Sequence, residues 1–132
     1  MKAEIVQLPK ILDPRGNLTF FQNENQIPFI IQRVFWIYDV PGGDKRGGHA
    51  YKTQSEIIIA LSGSFDVKIH DGKSEKIFSL NRSYYGLLVH PMAWRQMENF
   101  STNALAFVAS DARYNAEDYI RDFEQFKQMS NV

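Results

Sequence analysis

The sequence has no cysteine, no excess of either charge and no apolar run long enough to span a membrane. Without cysteine there is no disulfide and no thiolate, so the fold must rest on its core, and thiol catalysis is excluded. The absence fits a reducing compartment, and the cytoplasm is the expected location. Fifteen basic residues balance fifteen acidic ones, so no global field draws the chain to nucleic acid. An anionic small molecule would have to be met by local arginines. No segment approaches the ~20 apolar residues of a membrane span. The start, Met1-Lys2-Ala3-Glu4-Ile5, alternates like a strand and lacks the apolar centre of a signal peptide.

What is present reads as one domain of 132 residues, long enough to bury about two thirds of the surface of its unfolded chain. Short β-patterned runs follow one another at close spacing, roughly at 3–8, 17–22, 30–39, 48–53, 55–61, 64–70, 75–80, 85–90, 94–98 and 103–110. Ile57-Ile58-Ile59-Ala60-Leu61 is apolar without a break, as expected of a strand covered on both faces. In 103–110, Leu105, Phe107 and Ala109 share one face. Asp71-Gly72 marks a hairpin turn, since both residues tolerate positive φ. So many strands in so few residues predict a two-sheet jelly roll. The C-terminal segment, about 115–129, changes period: Asn115 with Asp118 resembles a helix cap, and Tyr119, Ile120, Phe123 and Phe126 recur at helical spacing.

The most informative pattern is Gly43, five residues, His49-Ala50-Tyr51, four residues, Glu56, six residues, Gly63. His49 and Tyr51, two apart on a strand, point to the same side. The pattern resembles the first cupin signature, in which a second histidine would stand at Tyr51. Gly86, Pro91, Trp94, Arg95 and Asn99 fall along the second signature, with Arg95 at the place of a third histidine. A neutral phenol is a poor metal ligand, and arginine offers no lone pair. The reading is therefore a cupin pocket with no metal and no other cofactor.

Each candidate has a plainer alternative. His49 titrates near neutrality and suits a general base, though a lone strand histidine is more often structural. Tyr51 is either a proton donor or a barrel-filling aromatic. Glu56 is expected to orient His49 by accepting its second N–H, against the alternative of a surface carboxylate on an edge strand. Arg15, Arg33, Arg46 and Arg95 are candidate anion clamps, because guanidinium matches phosphate oxygens with paired hydrogen bonds. Arg46, followed by Gly47-Gly48, has the best position; Arg33 sits in an apolar strand and must face either pocket or solvent. Trp94 offers a flat face for stacking, and aromatic content is high at 14%. His70 reads as an exposed hairpin residue, Arg82 as a turn residue, and His90 stays open between structure and pocket mouth.

Nearly the whole chain resembles the nucleotide-linked sugar 3,4-ketoisomerases, a WxcM-like branch of the RmlC-like cupins. The resemblance is carried by Asp13-Pro14-Arg15-Gly16, Ile27-Pro28-Phe29, Arg33-Val34-Phe35-Trp36-Ile37 and Arg46-Gly47-Gly48-His49-Ala50-Tyr51-Lys52. It continues through Leu61-Ser62-Gly63-Ser64, Pro91-Met92-Ala93-Trp94-Arg95, Ala109-Ser110-Asp111 and Glu117-Asp118-Tyr119-Ile120-Arg121. It implies an all-β fold, a cupin-type double-stranded β-helix (jelly-roll barrel) with one C-terminal α-helix. That is a single domain over 1–132, with the barrel in about 1–112 and the helix in about 115–129. It implies movement of a keto group from C4 to C3 of a dTDP-4-keto-6-deoxyhexose, on the way to amino sugars of surface glycans. It further implies catalysis at His49 and Tyr51, substrate contacts at Arg15, Arg33, Arg46, Glu56, Trp94 and Arg95, and a homodimer with exchanged strands. Neither nucleic acid nor membrane is an expected partner. The departure from the family lies at Tyr51, where a histidine is usual. Two other functions fit the same residues: epimerisation of a 4-keto sugar nucleotide, and non-catalytic binding of a dTDP-sugar.

Overall fold

Strand alternation in this chain sorts its side chains onto two sheets that close around one interior. A computed structural model describes residues 1–131. The strands are β1 (Ala3–Gln7), β2 (Lys10–Ile11), β3 (Leu18–Thr19), β4 (Arg33–Ile37), β5 (Arg46–Tyr51) and β6 (Glu56–Ser62). They continue with β7 (Phe65–His70), β8 (Glu75–Leu80), β9 (Tyr85–Val89), β10 (Trp94–Glu98), β11 (Leu105–Ser110) and β12 (Tyr119–Ile120), before helix α1 (Phe123–Ser130). One antiparallel sheet runs β1-β9-β6-β11-β4, the other β12-β5-β10-β7-β8, and β2 pairs with β3 as a small ribbon. This is the cupin-type jelly roll expected from the sequence, with its single C-terminal helix.

The interior is filled from both sheets by Ile58, Ala60, Val67, Ile69, Leu87, Met97, Ala106 and Val108, all buried. The other face of β6 and β11, with Ile57, Ile59 and Ala109, packs on Leu8, Ile27, Phe29 and Leu88. The segment after β3 covers that outer face, with Phe21 edge-on to Phe107. This is why β6 is apolar on both sides, and why the strand expected at 17–22 ends at Thr19: Phe21 is drawn onto the outer core. The ribbon strand β2 carries no apolar alternation and was not legible in the sequence.

The 71–74 turn is longer than a two-residue hairpin, since His70 pairs with Glu75. Only Gly72 takes positive φ, while the Asp71 carboxylate accepts from the N–H groups of Lys73 and Ser74. His70 is half-buried, its Nδ1 accepts from the Gly72 N–H, and its ring meets Phe123.

The C-terminal segment departs most from expectation. Asn115 caps only a 3₁₀ turn at Ala116–Asp118. The helix begins at Phe123, capped by Asp122, whose carboxylate accepts from the Glu124 N–H. Between them Tyr119–Ile120 is extended and pairs with β5. Asp118 explains the break. Its buried carboxylate accepts from the N–H groups of Thr53 and Gln54 and from the Thr53 hydroxyl. Those donors tie it to the β5–β6 turn rather than to a helix of its own. Helix α1 then lays Phe126 against Ala50 and Ile120, outside the second sheet. Among the described residues no helix is long and apolar enough to cross a membrane.

Candidate active site

Four side chains form a lattice on the inner face of the second sheet. His49 and Tyr51 alternate inward from β5. Arg95 on β10 is the cross-strand partner of His49, and Tyr119 on β12 that of Tyr51. The rings of His49, Tyr51 and Tyr119 are mutually in contact, with centroids 4.8 Å apart in each pairing. From the first sheet the cross-strand row Arg33, Ser110 and Glu56 faces them. The site therefore lies in the seam where β4, the edge of one sheet, meets β12, the edge of the other.

Glu56 is not the orienting partner of His49. It is fully buried and accepts from Arg95, with Nε–Oε1 at 2.6 Å and Nη2–Oε2 at 3.2 Å. Arg95 also donates to the Gly47 carbonyl at 3.0 Å and, at 3.5 Å, to the Tyr51 hydroxyl. Such a pair is required by desolvation: neither charge is tolerable alone in this interior. Burial works against the Arg95 cation, and the Glu56 carboxylate more than compensates. The bridge depends on Gly47, whose φ of +71° a side chain rarely adopts and whose added Cβ would land on the Arg95 guanidinium. Arg95 is thus committed to Glu56 and is not the anion clamp expected from the sequence.

The hydroxyls form a short chain. Arg33 Nη2 donates to Tyr119 at 3.4 Å, and the Tyr51 hydroxyl lies 3.4 Å from that of Tyr119. Arg33 is inward-facing, over the Phe35 ring, and Arg121 lies over the Tyr119 ring at 4.2 Å. Among the described residues neither Arg33 nor Arg121 has a carboxylate partner. His49 Nε2 and Arg33 Nε are buried without a hydrogen-bond partner.

This environment separates the proton affinities of the two central groups. Burial, then the positive charges of Arg95, Arg121 and Arg33, pull the His49 imidazolium pKa down to about 2. Burial, then the Glu56 carboxylate, pushes Tyr51 above the ordinary phenol range. The site holds a neutral imidazole beside a protonated phenol, an acid–base pair set by environment. A consequence for stability follows. Unfolded His49 binds a proton below pH ~6.5, whereas folded His49 resists it down to about 2. Its contribution is present above the unfolded value and lost as pH falls through that window. A His49→Asn variant is therefore expected to lose less stability than the parent between pH 6.5 and 4, measured by urea unfolding across pH; parallel losses would refute this.

The donor set does not suit a divalent cation. Glu56 is engaged by a guanidinium, Tyr51 is held protonated, and the described residues contain no group of three or more His, Asp or Glu placed to hold a metal.

Of the residues expected from the sequence, His49, Tyr51, Glu56, Arg33 and Arg95 converge here. Trp94 does not: adjacent to inward-facing Arg95, it points outward and packs on Phe123 and Phe126. Arg15 is exposed and bound to Asp13 at 2.8 Å. Arg46 is exposed and lines a surface cavity of about 530 Å³ with Trp36, Tyr38, Asp39 and Lys45. A larger one, about 670 Å³, lies under the β2–β3 ribbon against Phe21, Ile59, Tyr84 and Phe107. Neither cavity contains the His49–Tyr51 pair, which lies in the seam between the two sheets. His90 is half-exposed, 3.6 Å from Glu4 and away from the site. Sequence reasoning missed Tyr119 and Arg121 as site residues, although both lie in the distinctive Glu117–Arg121 run.

Comparison with known proteins shows the family of the chain. The family model FdtA: WxcM-like, C-terminal, matches residues 1–131. The TDP-4-oxo-6-deoxy-alpha-D-glucose-3,4-oxoisomerase of Aneurinibacillus thermoaerophilus is 34% identical over 128 residues, covering 97% of this chain and 92% of the relative. A crystal structure of a 3,4-ketoisomerase from Helicobacter canadensis superposes with a TM-score of 0.97 at 36% identity, over 100% of this chain and 99% of the other. QdtA, a sugar 3,4-ketoisomerase from Thermoanaerobacterium thermosaccharolyticum solved in complex with TDP, gives 0.96 at 30% identity, over 98% and 95%. The chain belongs to the FdtA family of WxcM-like C-terminal domains.

Proposed function

We propose that this protein is a sugar 3,4-ketoisomerase that moves the carbonyl of a dTDP-linked 4-keto-6-deoxyhexose from C4 to C3. The observation that carries the reading is a neutral imidazole and a protonated phenol on one inner face, flanked by arginines. Isomerising an α-hydroxyketone requires a base for the C3 proton and an acid for the ketone oxygen. The resulting enediol collapses with a proton returned at C4, and fixed donors near the oxygens stabilise the charge that develops. His49 is the base and Tyr51 the acid. Arg121, without a carboxylate partner among the described residues, meets the diphosphate in place of Arg46 and Arg95, while Arg33 stays on the Tyr119 hydroxyl. An incoming diphosphate also offsets the cations that depress His49, so substrate binding strengthens the base it needs. The relatives named for this activity, one holding TDP, support the substrate class.

A cytoplasmic homodimer with exchanged strands belongs to the same reading. The dimer is supported by apolar side chains left exposed on the edge strand and ribbon, Val34, Trp36, Ile11 and Leu18.

The test is incubation with dTDP-4-keto-6-deoxyglucose in D₂O, followed by proton NMR. The expected result is loss of the C3 proton signal with growth of a 3-keto product. Exchange at C5 instead would replace the reading with epimerisation. An unchanged spectrum with TDP binding intact would leave a non-catalytic binder.

A further inference from the structure

Tyr119 has no role in the minimal acid–base pair, yet the fold presents it as the twin of Tyr51. The two are direct cross-strand partners, their rings are in contact, and their hydroxyl oxygens lie 3.4 Å apart. Each hydroxyl is backed by its own guanidinium, Tyr51 by Arg95 at 3.5 Å and Tyr119 by Arg33 at 3.4 Å. Two hydroxyls that share one hydrogen bond hold one proton between them and one free. An α-hydroxyketone presents the matching pair, two oxygens on adjacent carbons, of which one must gain a proton and the other lose one.

We propose that Tyr119 is a second catalytic hydroxyl, and that the Tyr51–Tyr119 pair carries the proton between the two substrate oxygens. This rests on the ketoisomerase reading above. His49 takes the C3 proton as the C3–C4 double bond forms, and Tyr51 gives its proton to the C4 oxygen. The Tyr51 phenolate is reprotonated by Tyr119 across their hydrogen bond. Tyr119 is restored by the proton leaving the C3 hydroxyl as the new carbonyl forms, while His49 returns its proton to C4. Every proton taken is returned, and no external acid, base or oxidant enters. The two guanidiniums stabilise whichever phenolate is transiently present. A phenol has a single oxygen, so Tyr51 alone cannot give a proton at one atom and take it at another. The Tyr119 hydroxyl supplies the second atom.

The discriminating readout is the ratio of C3–H exchange to carbonyl migration in D₂O, measured on the intact protein with dTDP-4-keto-6-deoxyglucose. Tyr119→Phe is expected to keep C3 exchange within about tenfold of wild type while 3-keto product falls by about 10²-fold, so that deuterium accumulates in unreacted substrate. Equal losses of exchange and migration would mark Tyr119 as merely structural and overturn the proposal, as would an unchanged variant. Should Tyr119→Phe fold poorly, 3-fluorotyrosine at 119 keeps the ring packing and alters only the acidity of the phenol. A changed ratio then supports the relay, and an unchanged one overturns it. A wild-type protein showing neither exchange nor migration removes the function reading and this inference together; a wild-type isomerase with an indifferent Tyr119 removes this inference alone.

Discussion

Replacing His49 with asparagine is expected to lower turnover by a factor of about 10²–10⁴, the usual contribution of a positioned general base, while leaving the protein folded. The two halves of that expectation have separate causes. His49 is buried and neutral, and its contacts are the faces and edges of Tyr51 and Tyr119. A neutral amide of smaller size loses some ring contact but strands no charge. Its Nε2 makes no hydrogen bond in the resting site, so no buried partner is orphaned by the change. What is lost is the only imidazole in the seam, since His70 is held at the 71–74 turn and His90 lies beside Glu4. Turnover by NMR, with a thermal melt on the same sample, gives both numbers. Full turnover in His49→Asn would remove the base assignment, and so would retention of C3–H exchange without product.

The His49–Tyr51 pair could be read from the sequence because a strand's period is two, so the spacing alone fixes a shared face. The same rule, applied to neighbours, separates Trp94 from Arg95: adjacent strand residues cannot both enter one pocket. Arg46 was harder to place. It stands three residues before His49, and the register between β5 and β10 shifts between Arg95 and Met97, near the positive φ of Gly47. Counting from His49 therefore does not give its direction. The Glu56–Arg95 bridge crosses between sheets, and nothing local to either residue states which strand lies opposite. Tyr119 was misplaced for a more instructive reason. Its spacing to Phe123 and Phe126 satisfies a helix as well as any true helical stripe does, and periodicity cannot tell the two apart. The deciding interaction is that of Asp118 with the N–H groups of Thr53 and Gln54, 65 and 64 residues away in sequence. An acidic residue that looked like a cap was an anchor for another loop, and the strand it secures delivers Tyr119 to the site.

The largest effect on stability is expected from Glu56→Ala. Glu56 and Arg95 are 0% and 1% exposed, so the cation left behind cannot be hydrated, and the Gly47 carbonyl and Tyr51 hydroxyl together do not neutralise it. Breaking such a pair from one side costs about 3–5 kcal/mol, or a fall in the unfolding midpoint of roughly 10–20 °C for a domain of this size. The pair need not be worth that much in itself, because most of the penalty is the stranded charge. Removing both charges, as Glu56→Ala with Arg95→Met, is accordingly expected to recover much of the loss, and the non-additivity measures their coupling. Thermal melts of the parent, the two single variants and the double variant complete the cycle. A Glu56→Ala variant melting within a few degrees of the parent would show that the bridge does not hold the seam. The double variant separates stability from chemistry as well. It is expected to fold and still to turn over slowly, because Tyr51 loses both the carboxylate that raises its proton affinity and the guanidinium that steadies its phenolate. Restored stability together with full turnover would mean that Arg95 supports the fold without supporting the acid.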